Sequence, residues 1–291
     1  MKPAAFDYQR PDTLDGVLAL LADSASDGGL DTKIISGGQS LVPMMNFRLA
    51  RPERLIDVNR IAGLSDISMD GGMLKIGAMA RHNAVKGSAH VAKAAPIIPV
   101  AYEWVAHSTI RNRGTFGGNL CHADPASEMP MLMLLLDGVM VAKSTRGTRH
   151  IKAVDFFTGV YQTALESDEM LVEVHVPVAA PTQGFGFHEV SLRKGDFAFC
   201  AASATMSLSA GKISQVALAV GGVSSTSLRL KEAEVAMIGQ APTAELIAKA
   251  TADAIAPLDI SGDLRAPSEY RRDLALSLTR RALADAAATA N

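Results

Sequence analysis

The sequence is short of three things, and each shortage closes off a class of function. Of 291 residues only two are cysteines, Cys121 and Cys200. Two thiols make neither a four-cysteine zinc site nor a ligand set for an iron–sulfur cluster. They could form one disulfide, but two scattered cysteines fit a reducing compartment better. An excess of one charge is also missing: 28 Lys and Arg against 30 Asp and Glu leave a net charge of -2, which gives nucleic acid no electrostatic footprint. One Trp and four Tyr add few platforms on which bases could stack. Long apolar runs are absent too. "MPMLMLLL" is stopped by Asp137, well short of the roughly 20 residues that cross a bilayer. The opening "MKPAAFDYQRPDTL" carries no secretory apolar core. The expectation is a cytoplasmic protein with no transmembrane segment and no nucleic-acid partner.

Familiar catalytic signatures are missing as well. There is no G-x-x-x-x-G-K loop followed by Ser or Thr, and no G-x-G-x-x-G opening a βαβ unit; "GFGFHE" fails that pattern at its third glycine. No H-E-x-x-H occurs, and the seven histidines are dispersed. His122 and Asp124 invite pairing with Ser40 or Ser127, yet neither serine sits in a G-x-S-x-G elbow. No catalytic residue and no metal ligand is therefore assigned.

What is present reads as an ordinary globular chain, 48% hydrophobic and 20% charged, long enough for two domains. Apolar spacing predicts a helix over residues 13–22, capped near Thr13. "TKII" and "RLIDVNRI" read as strands, and "LSDISMDGGMLKIGAMA" as a hairpin turning at Asp70-Gly71-Gly72. Helical patterning over 83–108 is interrupted by Pro96 and Pro99. "EMPMLMLLLDG" reads as a buried helix, and "GVMVAKSTRGTRHIKAVDFF" as another hairpin. The Pro/Gly-rich stretch near residue 178 marks a boundary. Beyond it come two strands joined at Ala210-Gly211, then helices over about 243–254 and 268–288, with cap chemistry at Thr243 and Ser268. The layout is α+β, without strict βαβ alternation.

One internal echo stands out. "SGGQS" (Ser36, Gly37, Gly38, Gln39, Ser40) and "TFGGN" (Thr115, Phe116, Gly117, Gly118, Asn119) each place a glycine pair after a hydroxyl residue and before an amide. Glycine pairs allow positive φ and bring successive N–H groups onto one concave surface, a nest for anionic oxygens. Two such loops facing each other would clasp a diphosphate.

"SGGQSLVPMMNFRLARPERLIDVNRI", "IRNRGTFGGNLCHADPASEMP" and "RKGDFAFCAA", with "PSEYRRDLALSLTRRAL" near the end, resemble the FAD-binding medium subunit of the molybdenum hydroxylases, the xanthine dehydrogenase and carbon monoxide dehydrogenase medium-chain family. The resemblance spans essentially the whole chain. It implies a vanillyl-alcohol-oxidase/PCMH-type FAD-binding domain over 1–177, of two α+β subdomains (about 1–56 and 57–177). A C-terminal α+β domain, an antiparallel sheet with helices, would occupy 178–291. It implies that the two glycine loops, with Leu41, wrap the FAD diphosphate. Glu128 would bond ribityl or ribose hydroxyls, with Asp124 as a second candidate; Leu171 would line the flavin, and Phe197 and Lys194 would approach its ring. Ser36, Phe116, Glu128 and Phe197 depart from the residues usual at their positions, but none of these changes removes a backbone donor. The implied function is electron transfer from two 2Fe-2S clusters of a small subunit, fed by a molybdenum cofactor in a large subunit, through FAD to an external acceptor. The implied assembly is a dimer of heterotrimers. Two other readings stay open: a self-contained FAD-dependent oxidase or dehydrogenase, and a flavin-free scaffold.

Overall fold

A computed structural model describes residues 2–26 and 28–291. The N-terminal part is a three-stranded sheet in the order Asp7–Gln9, Arg54–Asp57, Thr32–Ile35, paired in parallel throughout. Parallel neighbours need a crossover, and helices Leu14–Ser24 and Leu41–Asn46 supply the two. Thr13 caps the first of these, its hydroxyl accepting from Gly16 N–H. Val17, Leu18 and Leu21 of that helix pack against Ile56 and Val58, and against Val141, Met170 and Val172 of the next sheet.

That second sheet is antiparallel and five-stranded, in the order Ile67–Asp70, Met73–Gly77, Met170–Pro177, Val139–Ser144, Gly147–Lys152. Its first hairpin turns through Gly71 and Gly72, both at positive φ (55° and 78°), as the Asp-Gly-Gly signal anticipates. The stretch around Pro96 and Pro99 does not form one helix. It breaks into His82–Gly87, Ala89–Ala94, Ile97–Ala101 and Ser108–Arg111; Pro96 caps the third of these, where a proline cannot supply the N–H of a continuing helix, and Pro99 sits in its first turn. The helix Glu128–Leu135 is buried at all eight positions, so it behaves as core rather than as an amphipathic surface helix.

The C-terminal part is an antiparallel sheet of four strands, Gly184–Ser191, Ala198–Ser209, Lys212–Gly221 and Leu228–Arg229. One face packs on helices Lys231–Met237, Ala244–Ile255 and Ser268–Thr289. The other face, through Phe187, Ala201 and Ala219, joins the same apolar core as Leu74, Phe116 and Leu132. Thr243 caps its helix as expected, through Leu246 N–H. Ser268 does not: the cap position is Pro267, and no side chain fills the cap role there.

Candidate functional site

The two glycine loops meet. The Ser36 and Thr115 hydroxyls lie 3.0 Å apart. A Cβ on Gly37 would fall 2.5 Å from the Arg113 carbonyl oxygen, and one on Gly118 would fall 2.6 Å from both the Ser36 and the Thr115 hydroxyl oxygens. At these positions glycine is required for close approach, whereas Gly38 also needs its freedom for a φ of 70°.

The echo in sequence is not an echo in backbone. The first loop runs from strand Thr32–Ile35 into helix Leu41–Asn46, which Leu41 opens. The N–H groups of Gly37, Gly38, Gln39 and Ser40 find no acceptor among the described residues. The second glycine pair instead lies in the first turn of helix Phe116–His122, with Thr115 as N-cap accepting from Gly118 N–H (3.1 Å). Phe116 and Gly117 donate to the carbonyls of Ala80 and Ala78 (2.9 Å each), and Asn119 donates to that of Thr115 (3.0 Å). The expectation of two matched nests is therefore corrected. The first N–H groups of a helix have no acceptor inside it, and here the Ala80 and Ala78 carbonyls and the Thr115 hydroxyl take them, so the first loop supplies the free donors and the second supplies proximity.

Side chains complete the site. Asn119 donates through Nδ2 to Ser127 Oγ (2.7 Å), while its Oδ1 is buried with no partner among the described residues. A buried acceptor of this kind calls for a donor from elsewhere. Beside the first loop opens a cleft of about 410 Å³, lined by residues 35–39, Val42, Pro43, Asp57, Asn59 and Arg113, within the usual size range of ligand pockets. Asn59, Arg81 and Arg113 were not singled out in the sequence. Asn59 Nδ2 donates to the Ser36 carbonyl (2.8 Å) and to Asp57 Oδ1 (2.6 Å). Arg81 donates to Asn59 Oδ1 (2.6 Å) and to the Arg113 carbonyl. Burial, then the neighbouring Arg113 charge, lowers the Arg81 pKa. Two guanidinium groups crowded beside unpaired N–H donors attract an anion. Of the three, only Arg113 had a signal in sequence, "RNRG" directly before the second loop.

The other expected residues occupy distinct places. Asp124 makes a turn: Oδ1 accepts from Ala126 N–H (2.9 Å), and Oδ2 accepts from the Tyr161 hydroxyl (3.3 Å). His122 stacks on Tyr161 at 4.8 Å, and Ser127 is engaged with Asn119, so no hydrolytic triad forms among them. Glu128 opens the buried helix; burial, then the Asp124 charge, raises its carboxyl to about 7, against the pull of its own N–H. Leu171 is buried in the same core as Phe116 and Leu120. Lys194 Nζ lies 5.7 Å over the Trp104 ring and 3.9 Å from Glu103. Phe197 is 53% exposed, which rules out an ordinary core phenylalanine. Both thiols are free, and no helix of the described residues is long and apolar enough to cross a membrane.

Comparison with known proteins matches residues 4–179 to the FAD binding domain in molybdopterin dehydrogenase, and residues 185–286 to the CO dehydrogenase flavoprotein C-terminal domain. The chain is 39% identical to the 6-hydroxypseudooxynicotine dehydrogenase complex subunit alpha of Paenarthrobacter nicotinovorans, covering 98% of this chain and 96% of the other. It is 34% identical to the carbon monoxide dehydrogenase medium chain of Hydrogenophaga pseudoflava, covering 97% of each. A solved structure of carbon monoxide dehydrogenase from that organism superposes with a TM-score of 0.95 at 36% identity, over the full length of both chains. With its loops, cleft and full-length match taken together, the chain belongs to the family of FAD-binding medium subunits of the molybdopterin dehydrogenases.

Proposed function

We propose that the cleft beside the first loop, walled by Arg113, holds the diphosphate of FAD, and that the chain is the electron-transfer subunit of a molybdenum hydroxylase. The observation that carries this reading is the Ser36–Thr115 junction, which seals one end of a row of four N–H donors free of protein acceptors. The residues present suit the group. The donors of Gly37, Gly38, Gln39 and Ser40 match phosphate oxygens, and Arg113 adds charge at the cleft wall. Asn119 Oδ1 is an orphan acceptor for a sugar hydroxyl. Glu128 and Asp124 are assigned to the ribityl or ribose hydroxyls, Leu41 to the loop wall, and Leu171, Lys194 and Phe197 to the surroundings of the ring.

When bound, the flavin supplies redox chemistry, taking electrons that originate at a molybdenum cofactor and two 2Fe-2S clusters in partner subunits and releasing them to an external acceptor. This chain supplies position and polarity. Its N–H groups fix the diphosphate, the Ser36–Thr115 contact holds the loops at one spacing, and Ser127 orients the Asn119 amide that carries the orphan acceptor. The division into 1–177 (subdomains 1–56 and 57–177) and 178–291, the dimer of heterotrimers and a cytoplasmic location belong to the same reading.

Gly118→Asp tests it. The new Cβ would meet two hydroxyl oxygens at 2.6 Å, and its carboxylate would repel phosphate. The expected outcome is a chain with native circular dichroism that purifies without flavin. Arg113→Ala, at the exposed wall, is expected to weaken FAD binding about 10-fold, the scale of one charge-assisted hydrogen bond. Wild-type flavin content in both variants would overturn the assignment.

A further inference from the structure

The seam between the FAD-binding domain and the C-terminal sheet contains a buried carboxyl group that lies outside the cleft. Along strand Gly184–Ser191 the side chains alternate. Gly184 and Gly186 lie flush against helix Ser268–Thr289, and His188 Nε2 reaches Asp285 on that helix (2.8 Å). The intervening residues face the other way: Phe187 belongs to the core of the FAD-binding domain, and Glu189 pairs in register with Ala201, which belongs to that core too. Glu189 is only 5% exposed. Both of its carboxyl oxygens are buried without a hydrogen-bond partner among the described residues, as is Ser203 Oγ in the neighbouring strand on the same face. A buried carboxylate with neither cation nor donor is a state that proteins avoid.

The helix Glu128–Leu135 packs on this face of the sheet, and Glu128 at its start acts on Glu189 across the seam. The other groups near the pair bring no positive charge. Asp124 acts on Glu128 from the preceding turn. Tyr102, wholly buried, feels Glu128 and the more distant Arg111. The Ser191 hydroxyl, which lies near enough to Glu189 to offset part of its rise, donates its proton to the Arg193 carbonyl (3.0 Å). Cys200 feels both Arg271 and Glu189, but Arg271 is committed to the Phe199 and Gly222 carbonyls and to Asp263.

The geometry points to Glu189 as a positioning residue that keeps a proton in the domain seam, on the sheet face covered by the helix that Glu128 opens, so that cofactor retention and closure of the seam depend on pH. Two like charges in one buried site do not both ionise. Burial, then the Glu128 charge, accordingly raises the Glu189 carboxyl, and burial raises that of Glu128. For carboxyls raised above their unfolded values, the folded state holds the extra proton. The stability this proton supports is complete at acid pH and is lost as pH rises through the folded values. Above that range both carboxyls would be negative in the buried seam, and one of them, Glu128, is assigned to the FAD sugar hydroxyls. The inference rests on that assignment for cofactor retention, and on the carboxyl pair alone for stability.

The test uses the purified full chain, wild type, Glu189→Gln and Glu189→Ala, with FAD release followed by fluorescence and thermal midpoint measured from about pH 6 to about pH 10. Wild type is expected to lose FAD affinity at least ~10-fold and several degrees of midpoint across this range, the scale of one coupled proton. Glu189→Gln should show a profile that is flat above about pH 7 in both measurements, because only the Glu128 carboxyl, raised to about 7, is left to titrate. Glu189→Ala, with no donor, should be less stable than Glu189→Gln throughout. A Glu189→Gln profile parallel to wild type would overturn the inference. If no variant bound FAD at any pH, the reading of the cleft would fall and the thermal profiles alone would decide the proton at Glu189.

Discussion

Gly37, Gly118 and His82 show how closely individual residues hold the loops together. The first two are small because backbone and hydroxyl atoms occupy the space a Cβ would need. His82 sits beneath the turn into the second loop: its N–H donates to the Gly114 carbonyl (3.1 Å), and its Nδ1 lies 2.9 Å from the Tyr102 hydroxyl. Burial first, then Arg111 and Arg81, push its pKa from 6.5 down to about 4. A histidine held neutral in the fold costs nothing above its unfolded value. Its contribution is lost as pH falls, because the unfolded chain takes up a proton that the native site refuses. The loss reaches about 3 kcal/mol near pH 4, since each tenfold difference in proton affinity is worth about 1.4 kcal/mol. His82→Gln, which can still bond Tyr102, should flatten this acid limb in urea unfolding between about pH 6.5 and about pH 4. An unchanged limb would show that the imidazole is not the group responsible. No feature of the sequence marked His82, since its burial arises from contacts made between distant segments.

At the scale of elements, the strand Gly184–Ser191 is the sharpest case of a pattern misread without its partner. In sequence, "GFGFHE" was notable only as a failed nucleotide signature. In the fold, Gly186 is where the helix Ser268–Thr289 touches the sheet: a Cβ there would lie 2.2 Å from the Ala282 carbonyl oxygen. Gly186→Ala must therefore force strand and helix apart, an overpacking cost of about 1–3 kcal/mol or more. The thermal midpoint should fall by about 5 °C; a fall under about 1 °C would mean that helix and strand are free to separate there. Elements whose signal is local were legible. The Asp70-Gly71-Gly72 hairpin, the Thr13 and Thr243 caps, the buried helix after Ser127 and the strands meeting at Ala210-Gly211 all stand where the residues put them. The glycine loops were legible as a pair, but their division of labour was not. Whether the N–H groups of Phe116 and Gly117 are free depends on Ala78 and Ala80, more than 30 residues earlier. For the same reason Asn59 and Arg113 became visible only once the strands had brought them to the cleft.

Over the whole molecule, the boundary in composition near residue 178 is not a boundary in packing. One apolar core contains Leu74, Ile98, Phe116 and Leu132 from one side of it and Phe187, Ala201 and Ala219 from the other. Cores that merge in this way unfold together, so calorimetry of the full chain should give one transition with equal calorimetric and van't Hoff enthalpies. Two resolved transitions would separate the domains energetically.

The central claim is that the paired loops recognise a diphosphate. Its most direct test is equilibrium titration of the flavin-free full chain with FAD and, separately, with FMN, which carries the same ring and ribityl chain but a single phosphate. Four N–H donors and Arg113 acting on a diphosphate should make FAD bind at least ~100-fold tighter, about 2.7 kcal/mol at 1.4 kcal/mol per tenfold. Equal affinity for FAD and FMN would contradict the account.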